Sequence, residues 1–229
     1  MPIWGNIRLK RGFARQKKRI NRLADPLNST ALVDFVFSPE GELITPFQDR
    51  KEIAEFSAIV EKIQPERTLE IGTANGGTLF ILTRLTNSRG TVISLDMPGG
   101  AFGGGYPDWK QPVYQSFARK GQNFHLLRCD SHDPKTREEV KRLLEGKPLD
   151  LLFIDGDHTY DGVSSDFRMY SGLVRKGGII GFHDILPHRN PEYGINRFWN
   201  EIKGGLESSE IVNDPKHDGY GIGVIVCHR

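Results

Sequence analysis

Residues 68–82 read Thr-Leu-Glu-Ile-Gly-Thr-Ala-Asn-Gly-Gly-Thr-Leu-Phe-Ile-Leu. Leu69 and Ile71 flank Glu70 in a short strand-like run. Gly72, Gly76 and Gly77 follow at once, and an apolar helical pattern continues from Thr78 to Leu85. A strand, a glycine turn and a helix in direct succession aim backbone N–H groups and a helix N-terminus at one point, which suits a bound ligand. The dinucleotide spacing G-x-G-x-x-G is absent, because position 74 is alanine and the second glycine comes four residues after the first. An ordinary strand–helix turn is the plain alternative.

The remainder of the chain repeats the same alternation. Thr91–Leu95 reads as a second strand and ends in Asp96 and Met97. An acidic residue 19 positions beyond Gly77 is placed to accept from ribose hydroxyls. Residues 122–129 form a third strand that runs into Asp130 and Ser131, and Asp130 is the candidate to accept from an adenine amino group. A fourth strand over 150–154 runs into Asp155-Gly-Asp-His158, and a fifth over 179–182 ends in His183-Asp184. Helices are expected at 45–63, 136–144, 161–173 and 196–202, and a closing β-pair at 210–212 and 221–226. Such alternation gives an α/β fold, a Rossmann-like doubly wound, mostly parallel sheet with a C-terminal antiparallel β-pair. In it all these strand ends face one crevice.

Two segments lie outside that pattern. Residues 98–107 are glycine-rich and carry Phe102 and Tyr106, with Trp109 close behind; either a lid over a substrate or a flexible crossover fits them. The first 25 residues hold eight Lys or Arg side chains, from Arg8 to Arg22, although the net charge of the chain is only +2. Residues 1–44 are therefore set apart as a basic N-terminal extension and 45–229 as the main domain, with 27–44 irregular. The extension is expected to be solvated or to pack on a second subunit, with anionic lipid or nucleic acid as other partners for a basic amphipathic helix.

With 229 residues and 37% hydrophobic content, one domain of this kind is expected to be soluble. No apolar run reaches the roughly 20 residues of a membrane span, and no apolar stretch follows the early basic residues as a secretory signal would. Cys129 and Cys227 show no metal spacing, so two buried thiols and a cytoplasmic location are expected.

Leu69–Gly77, Asp96, Phe153-Ile-Asp-Gly-Asp-His158 and Gly177-Gly-Ile-Ile-Gly-Phe-His-Asp184, in this order, resemble the motifs of class I S-adenosylmethionine (SAM) methyltransferases. More narrowly, the chain is similar to the branch that holds macrolide-sugar O-methyltransferases and cephalosporin-hydroxylase-like proteins, over roughly residues 45 to 226. The resemblance implies SAM bound by Glu70, Gly72, Thr73, Ala74, Asn75, Gly76, Asp96, Met97, Asp130, Ser131 and Asp155. It also implies a divalent cation, Mg²⁺ or another, at Asp155, His183 and Asp184, and His158 as the general base. His183 stands where that branch carries a carboxylate, and an imidazole suits Mn²⁺, Fe²⁺ or Zn²⁺ better than Mg²⁺.

The expected activity is O-methylation of a small hydroxylated acceptor such as a sugar or glycoside. A metal-dependent hydroxylase or oxidoreductase on the same fold is the alternative reading. A nucleic-acid methyltransferase is disfavoured, because no Asn/Asp-Pro-Pro-Tyr/Phe motif follows the fourth strand. A non-catalytic SAM-binding module is disfavoured by the intact Asp155, His158 and Asp184 set.

Overall fold

The computed structural model describes residues 3–99 and 105–228, and side chains from residue 10 onward. Seven strands form one sheet in the order β3-β2-β1-β4-β5-β7-β6. They are β1 (Arg67–Ile71), β2 (Thr91–Leu95), β3 (Asn123–Leu127), β4 (Leu149–Ile154), β5 (Val174–His183), β6 (Glu207–Ile211) and β7 (Ile222–Val226). β1 to β5 run parallel, whereas β7 pairs antiparallel with both β5 and β6. This is the doubly wound sheet with a closing antiparallel pair. The chain order reverses beside β1, which has β2 on one side and β4 on the other, so the crevice opens at their carboxyl ends.

Both faces of the sheet are covered, and β4 shows how the sequence arranges that. All six of its residues are buried. Leu151 and Phe153 join the core on one face, Leu152 and Ile154 the core on the other. Five of its six residues are apolar, Asp150 being the exception, as a parallel sheet covered on both sides demands. α1 (Ile3–Ile20), α2 (Ser29–Val36), α3 (Arg50–Ile63), α4 (Gly77–Leu85) and the short α5 (Gln111–Tyr114) supply the first core. α6 (Pro134–Leu143), α7 (Tyr160–Tyr170) and α8 (Ile195–Ile202) supply the second.

Several expectations shift. The stretch 27–44, expected to be irregular, contains α2, started by Asn28, whose side chain accepts from Ala31 N–H at 2.8 Å. The helix expected from residue 45 begins at Arg50, because Asp49 caps it by accepting from the N–H groups of Lys51 and Glu52. β5 begins at Val174 rather than 179, with a break in register against β4 between Leu149 and Leu151 that absorbs the glycines at 177 and 178. Phe13 and Ile20 of the basic segment, with Leu32, Val33 and Val36, are buried in the same core as Phe56 and Phe80.

Of the glycine-rich stretch, residues 100–104, with Phe102, lie outside the described residues. Tyr106 is buried edge-on against Tyr114, ring centroids 4.7 Å apart, and Trp109 packs on Phe13 at 5.0 Å. These two aromatics therefore serve the core. Cys129 and Cys227 are free and half-buried rather than fully buried.

Candidate active site

The carboxyl ends of β1, β2 and β4 open into a cleft of about 540 Å³. Its floor depends on Gly72. This residue has φ +91°, and a Cβ there would lie 1.9 Å from the carbonyl oxygen of Asp155. The glycine thus permits β1 and β4 to close together at the point where both chains leave the sheet. Gly76, with φ +83°, has the same requirement on the outer side of the turn, where a Cβ would meet the Tyr114 ring at 2.7 Å. The Tyr114 hydroxyl donates to the Ala74 carbonyl at 2.8 Å and fixes the turn from outside.

Of the residues expected to hold a cofactor, Gly72, Ala74, Asp96, Met97, Asp130, Ser131 and Asp155 line the cleft. Thr73, Asn75 and Gly76 line a small recess behind the turn. Glu70 is fully buried beneath it. One Glu70 oxygen accepts from the Thr73 hydroxyl at 3.2 Å, while Oε1 has no partner among the described residues. Burial, and then the charge of Asp155, push its carboxyl well above the usual carboxylate range.

Asp96 is a brace as well as a wall. Its Oδ2 accepts from the N–H groups of Thr73 at 3.2 Å and Ala74 at 3.1 Å, and its Oδ1 from Gly105 N–H at 3.0 Å. Burial raises its pKa, opposed by these same N–H donors.

Beyond the turn the cleft reaches a cluster of two carboxylates and two imidazoles. His158 Nδ1 lies 3.1 Å from Asp184 Oδ2, and its Nε2 lies 3.5 Å from Asp155 Oδ1. His183 Nδ1 stands 3.1 Å from Asp155 and 3.2 Å from Asp184. Burial disfavours charge on all four, yet the pairing prevails. Hydrogen bonds to Asp155 and Asp184 lift His158 to about 10, and the charges of the same two carboxylates raise His183. The imidazoles in turn lower Asp155 and Asp184.

Asp184 adopts φ +61°, an uncommon conformation for aspartate, held by Tyr220 N–H donating to its Oδ1 at 2.9 Å. Asp155 is held by Gln48, whose side-chain N–H donates to Oδ2 at 2.6 Å and whose carbonyl accepts from Thr78.

Asp155, His158 and Asp184 each offer a ligand atom within 4.8 Å of the others. A carboxylate oxygen from each of Asp155 and Asp184 with one imidazole nitrogen is a mixed donor set that divalent transition metals accept. The donor set therefore fits a divalent metal ion. The cleft as a whole, walled by Asp96, Asp130, Asp155, Asp157 and Asp184, fits a ligand that carries positive charge.

Sequence reasoning missed Gln48, Tyr193, Tyr220, Phe47 and the pair His132 and Asp166. Tyr193 stacks on His188 with ring centroids 3.8 Å apart, and Tyr220 stands beside His183. Phe47 is 63% exposed at the rim, unusual for so large an apolar side chain. Asp166 had a readable signal, a charge at helical spacing from Val163 and Tyr170 on the inward side of α7. The others carried none.

Comparison with known proteins agrees with this architecture. A family model described as a methyltransferase domain matches residues 69–185. An uncharacterised protein of Acanthamoeba polyphaga mimivirus is 30% identical over 165 residues, covering 70% of this chain and 66% of the viral protein. The crystal structure of an O-methyltransferase from Bacillus cereus in complex with S-adenosylhomocysteine (SAH) superimposes with a TM-score of 0.59 at 17% identity, covering 92% of this chain and 96% of that one. The MycE methyltransferase of the mycinamycin biosynthetic pathway, in complex with Mg and SAH, superimposes with a TM-score of 0.57 at 15% identity, covering 89% of this chain and 55% of that one. The chain spans between about half and two thirds of the length of three curated relatives that it matches.

Proposed function

The chain belongs to the methyltransferase-domain family with the class I fold, and from that premise we propose that it methylates a hydroxyl oxygen of a small acceptor, a sugar or glycoside, with SAM as donor. The observation that carries this reading is the continuity of the cleft. The glycine turn, Asp96 and Asp130 line it together with Asp155, His158, His183 and Asp184. The methyltransferase neighbours bound to SAH, one of them with Mg, support the same reading.

SAM supplies a methyl group already activated by its sulfonium. The chain's own work is then binding, orientation and removal of one proton. Asp96 would accept from the ribose and Asp130 from the adenine amino group, while the Gly72 turn lets the ligand lie against bare backbone. Asp155 and Asp184, with the imidazole of His183, would hold the divalent cation, whose charge would lower the pKa of a hydroxyl bound to it.

His158 would take the hydroxyl proton as the acceptor oxygen forms its bond to the methyl carbon and the carbon–sulfur bond breaks, leaving a methyl ether and SAH. In the described geometry His158 keeps its own proton up to about 10. The charges of Asp155 and Asp184 favour its protonated form, and a cation held by them would offset those charges and favour the base form.

The test is calorimetric titration with SAM, with Mg²⁺ or Mn²⁺ and after EDTA, followed by labelled-methyl transfer to sugar and catechol acceptors. Micromolar SAM binding, with transfer that drops at least about 100-fold in His158→Ala while binding survives, is the expected result. No binding of SAM or SAH under any metal condition would refute the proposal. The second imidazole, His183, is the one observation that favours the hydroxylase reading. Tightly bound iron together with an absence of methyl transfer would establish that reading instead.

A further inference from the structure

Asp166 is a buried carboxylate that the proposed chemistry leaves unused. It lies on α7 with 0% exposure, and among the described residues neither of its oxygens has a hydrogen-bond partner. A carboxylate so placed is costly unless a cation faces it. The group facing it is His132, whose Nε2 stands 3.3 Å from Asp166 Oδ1. Asp166 holds the imidazole above its usual range in spite of burial, and the charges of Asp130 and Asp157 act in the same direction.

This pairing decides which edge of the ring is left for a ligand. Nε2 is turned to Asp166 inside the protein. Nδ1 is on the side of Asp130, 3.9 Å from its Oδ1, and the His132 N–H donates to that same oxygen at 2.8 Å. Asp130, Ser131 and His132 together line the cleft. The wall therefore offers an acceptor, the Asp130 carboxylate, next to His132 Nδ1, a donor when the ring is protonated, the form that Asp166 favours. Adenine has the matching edge, an amino donor with an acceptor ring nitrogen on either side of it. Hypoxanthine, with a carbonyl in place of the amino group, does not.

We propose that His132 determines base specificity by donating Nδ1–H to N1 or N7 of the adenine while Asp130 accepts from the amino group, with Asp166 positioning the imidazole from behind. The inference rests on the SAM reading above and names the residue by which that ligand is told from others of similar shape. The three groups come from two segments far apart in sequence, Asp130 and His132 from beyond the β3 end and Asp166 from the middle of α7. His132 is a ligand-binding residue here, and Asp166 a positioning residue that acts through it.

The experiment is equilibrium binding of SAH and of its 1-deaza and 7-deaza analogues to the full chain, its His132→Ala variant and its Asp166→Asn variant. A hydrogen bond from a charged donor predicts a loss of about 10- to 100-fold. The wild-type protein should lose that factor with one deaza analogue and not the other. His132→Ala should lose it with SAH and lose nothing more with that analogue, as a double-mutant cycle requires of a direct contact. Asp166→Asn should weaken SAH and shrink the penalty for the same deaza analogue.

If the wild type binds SAH but His132→Ala weakens all three ligands by the same factor, the contact does not exist and the SAM reading stands. A wild type that binds none of the three ligands overturns both readings. His132 is partly exposed and its replacement need not unfold the chain. Should Asp166→Asn fail to fold, the His132 cycle alone decides.

Discussion

Gly72 has no room for even one further carbon, since Asp155's carbonyl oxygen occupies the place of a Cβ. Gly72→Ala must therefore separate β1 from β4 or strain the turn at a positive φ, and should cost well over about 1 kcal/mol. A fall in melting temperature of more than about 4 °C, with weakened SAM binding, is the expected result. An unchanged melting curve would contradict it.

The imidazole cluster gives a second prediction at this scale. His158 titrates near 10 in the fold against about 6.5 for an ordinary histidine. A pKa raised on folding contributes stability fully below about pH 6.5, and that contribution is lost as the pH rises towards 10. EDTA-treated wild type should thus exceed EDTA-treated His158→Gln most at pH 6 to 7, and the gap in melting temperature should narrow by pH 10. A gap of constant size would refute the raised pKa. His158, Asp155 and Asp184 were legible because strand ends announce themselves in the sequence. Gln48 was not, for it reaches Asp155 across 107 positions and reads locally as a polar residue before a helix. Tyr193 and Tyr220 belong to loops that turn back over the β5 end, and no periodicity marks such a loop.

Among the elements, α3 does more than cover the sheet. Glu52, buried on its first turn, accepts from Asn213 N–H at 3.0 Å and from Gly221 N–H at 2.8 Å. A helix side chain thereby secures both ends of the β6–β7 connection, the segment that carries Tyr220 to Asp184. Glu52→Ala leaves two backbone donors without an acceptor, at about 1–3 kcal/mol each. Denaturant unfolding should register a loss of about 2–6 kcal/mol, and hydrogen exchange should quicken at 213–221 before it does in the sheet. Uniform exchange across the molecule would contradict this role.

The same elements show what a single sequence discloses. β1, β2 and β4 were legible to within a residue because each is a short run built on Leu, Ile, Val or Phe and bounded by turn residues, with buried polar residues such as Glu70, Ser94 and Asp150 set among them. α2 was passed over because its eight residues are too few to display a period, and it is held by contacts with α3 and α4. The expected end of β5 was right and its start was not. Gly177 and Gly178 look like a turn, yet the strand passes through them by a break in register.

At the scale of the molecule, the basic segment at the start of the chain is bound to the site through the core. Phe13 and Ile20 of α1 are almost wholly buried, and Phe13 meets Trp109 edge-on with the Lys110 ammonium over its ring. Trp109 and Lys110 lead directly into α5, whose Tyr114 holds Ala74 of the glycine turn. The apolar side of α1 is thus two layers from the ligand, while Lys10, Arg11, Arg15, Lys18 and Arg22 face solvent.

Burial of Phe13 and Ile20 is worth about 1.5–3 kcal/mol each, so deletion of residues 1–24 should remove roughly 3–6 kcal/mol of stability and weaken SAM binding with it. Exchange of Lys10, Arg11, Arg15, Lys18 and Arg22 for glutamine should change stability by no more than about 0.5 kcal/mol at each site, because solvated charges contribute little. Denaturant melts and SAM titrations of the two variants separate the possibilities. If the truncated chain melts and binds as the full one does, α1 is an appendage and its charges are what remain to be explained. If it is the charge-exchanged chain that loses stability or SAM affinity, the basic face acts on the site electrostatically. The burial of Phe13 against Trp109 predicts that truncation alone will do so.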